Sequence, residues 1–323
     1  MKLFLSLMAA LFLTGCTPSF LITPVSGNSE LVESTVRRGE GFFQKKIAII
    51  PIEGTIINAR RPSLMDSGEN SVSLLTQQLQ RAEDDASVVA IVLRLNSPGG
   101  TVTASDTMYR LISDFKSRSK KPVVASVQEV CASGGYYAAL AADEIMVQPT
   151  SIVGSIGVIY TSFDFEGTLG KIGARSYVIK SGALKDMGSP LKQMTAEERE
   201  VMQAMIMEYF HRFQGVVQTR RGLNADELAA VSDGRVFTGE NAMKLKLVDR
   251  IGTLEEAIVL ATQKAGVKNA KSVLYIRPFG YGGSIYASNQ VPAPEAKSSP
   301  LLSIPMMEEM LPSGFYYIWR PGL

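Results

Sequence analysis

The chain has 323 residues, 46% hydrophobic and 20% charged, with a formal net charge of +2. That balance excludes a disordered chain, and without a Lys/Arg block or a nucleic-acid motif nothing points to DNA or RNA. The single His and the two Cys, Cys16 and Cys131, form no cluster with zinc-site spacing, so no metal is expected.

Lys2 precedes an apolar run, Leu3 to Leu13, short for a membrane span and of signal-peptide length. It ends in Leu13-Thr14-Gly15-Cys16, and small residues before a Cys at this place resemble a bacterial lipobox. Residues 1–15 are therefore expected to be a lipoprotein signal peptide, cut before Cys16, with lipid on the Cys16 thiol and then on its new amine. The alternative is an ordinary signal peptide with an incidental Cys. Several acyl chains would anchor the chain stably to a bacterial envelope membrane, with its domain outside the cytoplasm. An acylated Cys16 would leave Cys131 no intramolecular disulfide partner. Residues 16–45, with Pro18, Pro24, Ser26, Gly27 and Asn28, read as a tether.

From Lys46 the pattern becomes regular, and 46–277 is expected to be one domain. Ile47 to Ile52 reads as a strand, Ser71 to Glu83 as a helix and Val88 to Leu95 as a buried strand. A helix from Ala104 to Ser117, a strand from Pro122 to Val127 and a short helix from Gly134 to Ala142 follow. Further strands are expected at Glu144 to Val147, Gly157 to Tyr160 and Ser176 to Ile179. The alternation predicts an α/β fold with a largely parallel sheet and flanking helices. Thr195-Ala-Glu-Glu198 has the form of a capping box opening a long helix, with Met202, Met205, Ile206, Tyr209, Phe213 and Val216 on one stripe. Helices at Ala225 to Val231, Gly239 to Leu245 and Leu254 to Ala265 precede a last strand, Ser272 to Ile276. Residues 278–323 read as a linker and an apolar tail containing Phe315, Tyr316, Tyr317 and Trp319. A tail this apolar should pack, either on its own domain or on a neighbouring subunit.

The strongest chemical signal is Val130-Cys131-Ala132-Ser133-Gly134-Gly135-Tyr136-Tyr137, an apolar strand running through small residues into a helix. A nucleophilic Ser133 at that junction could use the Gly134 N–H for oxyanion stabilisation; the alternative is that Ser133 is a simple helix cap. Asn96-Ser97-Pro98-Gly99-Gly100 follows a buried strand, where glycines permit close backbone approach to a ligand or serve a tight turn. A serine nucleophile needs a base. His211, the one histidine, falls in the middle of the long helix and suits a triad poorly. A lysine buried among apolar groups can lose its proton near neutral pH. Lys185, within Ser181-Gly-Ala-Leu-Lys-Asp-Met-Gly-Ser-Pro190, has the small and apolar neighbours that suit this; the alternative is an exposed loop lysine. Cys131 could serve as a thiol nucleophile or be a buried structural residue. Ser117-Arg118-Ser119-Lys120 repeats the β-lactamase string in a charged stretch, and Val153-Gly154-Ser155-Ile156-Gly157 lacks the first glycine of a nucleophile elbow.

Taken together, Asn96-Ser-Pro-Gly-Gly100, Ser133-Gly-Gly-Tyr-Tyr137, Gly154-Ser-Ile-Gly157, Ser181-Gly-x-x-Lys185 and Asp233-Gly-Arg-Val-Phe-Thr-Gly239 resemble, in order, the motifs of the signal peptide peptidase A family, peptidase family S49, in its short form. The resemblance spans about Ile47 to Gly266. It implies a crotonase/ClpP-like fold, Ser133 as nucleophile, Lys185 as general base, Ser155 as the residue orienting Lys185, and Gly100 and Gly134 as oxyanion donors. It also implies cofactor-free cleavage of remnant signal peptides or other apolar peptides, in a homo-oligomer where Ser and Lys can come from adjacent protomers. Two departures stand out: a lipid anchor in place of the usual transmembrane helix, and Lys246 where the family usually has Gly. The competing readings are a non-catalytic membrane-anchored scaffold and an acyl-CoA-handling enzyme of the same fold.

Overall fold

The computed structural model describes residues 30–39, 44–59, 69–278, 283–287 and 314–321. Cys16, the signal peptide and most of the expected tether lie outside them. Within residues 31–323 the described chain is one compact unit.

Strand β1 (Val32–Arg37) comes first and lies inside the segment expected to be tether. There follow β2 (Lys45–Glu53), α1 (Ser71–Asp84), β3 (Val88–Ser97), β4 (Gly99–Thr101), α2 (Val102–Ser119), β5 (Val123–Ala132) and α3 (Gly134–Ala139). Next are β6 (Glu144–Val147), β7 (Ile152–Gly154), β8 (Ile159–Thr161), α4 (Glu166–Lys171) and the long α5 (Ala196–Arg221). The domain continues with α6 (Ala225–Val231), β9 (Val236–Thr238), α7 (Gly239–Lys244), β10 (Arg250–Ile251), α8 (Leu254–Lys264) and β11 (Ala270–Ile276). Strand β12 (Gly314–Ile318) ends the described chain.

The architecture is α/β, as the alternation of elements predicts. Among the described residues the main sheet runs β1-β11-β2-β3-β5-β6-β10, with β7 and β9 continuing from β5. Its central pairs are parallel. Both faces of those strands are covered, which is why their central residues are mostly apolar. Side chains alternate between faces. Ala48, Ile50, Ile91 and Leu93 pack into one cluster with α1, α2 and α3, while Ile47, Ile49, Val92 and Val124 pack into a second beneath α8.

The expected capping box forms: Thr195 Oγ1 accepts from Glu198 N–H, and Glu198 accepts from Thr195 N–H. Lys246, at the position where glycine is usual, has φ +60°, the left-handed conformation that glycine adopts freely. Ser176 to Ile179, expected as a strand, is not one: it is fully exposed, and no sheet edge pairs with it. β-Branched composition alone cannot supply the neighbouring strand that a ladder needs. A second sheet has the order β4-β12-β8, with β12 antiparallel to both neighbours. The tail therefore packs on its own domain.

Arg94 ties the sheet to the segment 283–287. It is 2% exposed, pairs with Glu53 at 2.7 Å, and donates to the carbonyls of Ala287 (2.6 Å) and Ile285. Removing the buried guanidinium takes away the donor that the Ala287 carbonyl, in a residue only 5% exposed, accepts from. Arg94→Ala should lower unfolding free energy by about 3 kcal/mol, measured by urea denaturation, and a loss under about 1 kcal/mol would show the cluster to be solvated.

Candidate active site

Strand β5 carries the chain from the buried centre of the sheet to Ser133. Parallel pairing brings Ala132 opposite Gly154 of β7, so Ser133 and Ser155 leave two adjacent strand ends side by side. Both have positive φ, +51° and +52°. Ser133 N–H donates to the Gly154 carbonyl at 2.7 Å, and Ser155 N–H to the Arg235 carbonyl at 2.7 Å. These bonds hold each serine in a backbone conformation that costs energy for any residue with a Cβ.

Ser133 is fully buried, and its Oγ has no hydrogen-bond partner. A desolvated, unpaired hydroxyl is unfavourable for folding alone. Ser133 does precede α3, yet its side chain makes no capping bond, so the simple helix-cap reading fails.

The Asn96-to-Gly100 run forms the opposite wall. Ser97 Oγ donates to the Gly54 carbonyl at 2.6 Å and accepts from Gly99 N–H at 3.1 Å, bracing the turn. Gly99 has φ +100°, and any Cβ on Gly100 would collide with the Ile56 carbonyl. Gly100 and Gly134 converge: a Cβ on Gly134 would stand 3.1 Å from Gly100 N. The two expected oxyanion donors thus meet beside Ser133.

The expected base does not. Lys185 lies in an exposed turn, and because Ser133 Oγ has no partner, no described lysine nitrogen is within hydrogen-bonding reach of it. Its neighbour Asp186 pairs with Lys180 and Lys192 at 2.7 and 2.9 Å, and those two ammonium groups hold its carboxyl down at about 2. The alternatives fare worse. His211 is exposed on α5, against Gln214. Cys131 is buried, and desolvation pushes its thiol up, away from the reactive thiolate.

Aromatic side chains pack against α3, the helix that follows Ser133. Tyr137 is wholly buried between Tyr109 and Phe213, and its hydroxyl donates to Asp106 at 2.9 Å. Beside Ser155 an open cleft of about 440 Å³ is lined by Ile156, Val158, Ile206 and Phe210 among others. Among the described residues no group of His, Cys, Asp or Glu could hold a metal, and no helix is long and apolar enough to cross a membrane.

Comparison with known proteins places the chain among serine peptidases. The family model described as "Peptidase family S49" matches residues 116–268. The "Putative signal peptide peptidase SppA" of Enterococcus faecium is 31% identical over 249 residues, 77% of this chain and 72% of that protein. "Serine protease SPPA, chloroplastic" of Arabidopsis thaliana is 32% identical over 232 residues, 72% of this chain; the match spans 34% of the plant protein. Among solved structures, a ClpP1 mutant from Listeria monocytogenes aligns with TM-score 0.43 and 17% identity, covering 65% of this chain and 94% of that one.

The backbone strain at Ser133 is measurable. Ser133→Gly removes both the disfavoured φ and the unpaired buried hydroxyl, and should raise stability by about 1 kcal/mol while abolishing any activity. A Ser133→Gly protein less stable than the parent in urea melts would refute the strain.

Proposed function

This chain belongs to peptidase family S49 and is a serine peptidase, and we propose that it cleaves apolar peptides, including remnant signal peptides, with Ser133 as nucleophile and Lys185 as base. The observation that carries the nucleophile is the buried, unpartnered Ser133 hydroxyl, held beside Gly100 and Gly134 by a strained backbone.

In this reading neutral Lys185 takes the Ser133 proton, and Oγ attacks the scissile carbonyl carbon. The oxyanion forms against the N–H groups of Gly100 and Gly134, which cost no reorganisation because the fold pre-sets them. Lysine returns the proton to the leaving amine. A water molecule, deprotonated by the same lysine, then hydrolyses the acyl ester and restores Ser133. Ser155, next to Ser133 at the end of β7, is suitably located to orient the lysine amine.

An exposed ammonium is a poor base, because water stabilises its charge. We infer that Lys185 becomes dry in a homo-oligomer, reaching Ser133 of a neighbouring protomer. The support is the segment around it: Ile172, Tyr177, Val178 and Ile179 are 73%, 84%, 53% and 103% exposed. So much contiguous apolar exposure marks an interaction surface. A lipid on Cys16 would hold such an assembly at an envelope membrane, where cleaved signal peptides accumulate.

Complementation tests the dyad and the assembly together. Ser133→Ala and Lys185→Ala should each abolish cleavage of an apolar fluorogenic peptide. Mixed in equal amounts and allowed to exchange subunits, they should regain roughly a quarter of parental activity, the random-assortment share for a site built from two protomers. A mixture that stays inactive, with oligomers intact and exchange verified, refutes a dyad between chains.

A further inference from the structure

Lys185 is carried on a turn, with no strand or helix to aim it. Its N–H donates to the Gly182 carbonyl at 3.2 Å, and Met187 N–H to the Leu184 carbonyl at 3.1 Å. Such local bonds shape a turn but leave its direction open. A general base must be held within hydrogen-bond reach of the proton it takes, so the turn needs a tether to the body of the domain.

Asp186, the next residue, supplies one. Its side chain is only 12% exposed, and one carboxylate oxygen accepts from Lys180 Nζ at 2.7 Å and from Lys192 Nζ at 2.9 Å. Lys192 also pairs with Glu198, whose side chain is 1% exposed. The second oxygen of Glu198 accepts from Thr195 N–H at 3.0 Å, inside the capping box that opens α5. A continuous chain of charge-assisted bonds thus runs from the neighbour of the proposed base to the buried start of a 26-residue helix. Lys180 Nζ also donates to the Ala183 carbonyl at 2.7 Å, which braces the turn from its other side.

An isolated exposed ion pair would contribute little. These pairs share partners and end on a buried carboxylate. Their charges also cancel, Lys180 and Lys192 against Asp186 and Glu198. That balance matters beside an amine that must shed its proton, because an uncompensated carboxylate would favour the ammonium form. The two ammonium groups hold the Asp186 carboxyl down at about 2, so this tether is lost only as pH falls through that value and persists wherever a lysine can act as base. Three further charged side chains stand near the network. Asp164 and Arg199 line the same cleft as Lys192, and Glu166 accepts from Gln193 N–H at 3.2 Å.

We propose that Asp186 and Lys192 are positioning residues for the base: they fix the turn carrying Lys185 to the buried Glu198 of α5 while adding no net charge beside the amine. This rests on Lys185 being the base. The tether lies within one chain, so it serves a dyad formed inside a protomer or between two.

Kinetics of the full-length, assembled enzyme on an apolar fluorogenic peptide test this. Asp186→Asn and Lys192→Met should each lower kcat by roughly tenfold to a hundredfold, with KM nearly unchanged. Lys192→Arg, which keeps the charge, should recover most of kcat. The acid limb of the kcat/KM profile reports the base, and here the two variants should part. Lys192→Met leaves an unbalanced carboxylate, so its limb should move up by about half a pH unit. Asp186→Asn leaves an unbalanced ammonium, so its limb should move down by about as much. Asp164, Glu166 and Arg199 are the same in every variant and cancel in the comparison.

A turn that is merely loosened loses kcat without opposite displacements. Limbs that stay put or move together, or parental kcat in both variants, therefore overturn the proposal. Should Lys192→Met fail to fold, Lys180→Met decides, since it removes one cation and keeps the link to α5. Its limb should also move up, with a smaller loss of kcat, and an unmoved limb overturns the proposal. Failure of the underlying assignment looks different, because Lys185→Ala would then retain activity.

Discussion

The structure turns on a backbone conformation that a serine does not choose for itself. At φ +51° and ψ −116°, Ser133 pays for a Cβ in a region that suits glycine. The surroundings over-determine it. Its N–H is held by Gly154, its carbonyl accepts from Tyr137 N–H, and every residue of α3 is buried. Tyr136, deep in that helix, is anchored through its hydroxyl to the Leu247 carbonyl at 2.7 Å. To relax Ser133, the strand end, the helix and its anchor would have to move together. Packing elsewhere in the domain is thus spent on presenting one hydroxyl without a hydrogen-bond partner.

The same constraint shapes the walls. Because β5 stops at Ala132 and β7 at Gly154, Ser133 and Ser155 leave two adjacent strand ends side by side. On one side the Gly99-Gly100 backbone can be approached without a side chain intervening. On the other, the short strand β8 pairs with β12, which lies between it and β4. The two strand edges are one strand apart, and main-chain ladders hold the strand between them. Ser97, which no residue pattern singled out from its motif, fixes the turn that keeps the first edge in register.

Much of this was readable from residue order. The run Ile47 to Ile52 is apolar at every step and Val88 to Leu95 at every step but Arg94, which is what a parallel strand covered on both faces requires. Thr195 and Glu198 announce a helix start through chemistry local to four residues. Ser133 stood out because it joins an apolar strand to a helix, and the ordered family motifs favoured a nucleophile there over a simple helix cap. What escaped depends on partners distant in sequence. Val32 to Arg37 looks like tether until β11 is beside it, and Phe315 to Ile318 looks like a sticky tail until β4 and β8 flank it. Conversely, Ser176 to Ile179 has strand composition and finds no edge. Composition reports what a segment can do, and pairing partners decide whether it does.

That last segment bears on the chemistry as well. A lysine serves as base only where water is excluded, since hydration favours its ammonium form. Lys185 is exposed, and the apolar side chains just before it, Tyr177 and Ile179 among them, face solvent rather than covering it. In the proposed dyad, one protomer presents the nucleophile without its base. The surface that would dry the lysine is also the surface that calls for a partner, so a single contact between copies would satisfy both. Assembly and activation would then be one event, and an isolated protomer would carry a strained, desolvated serine with no means of removing its proton.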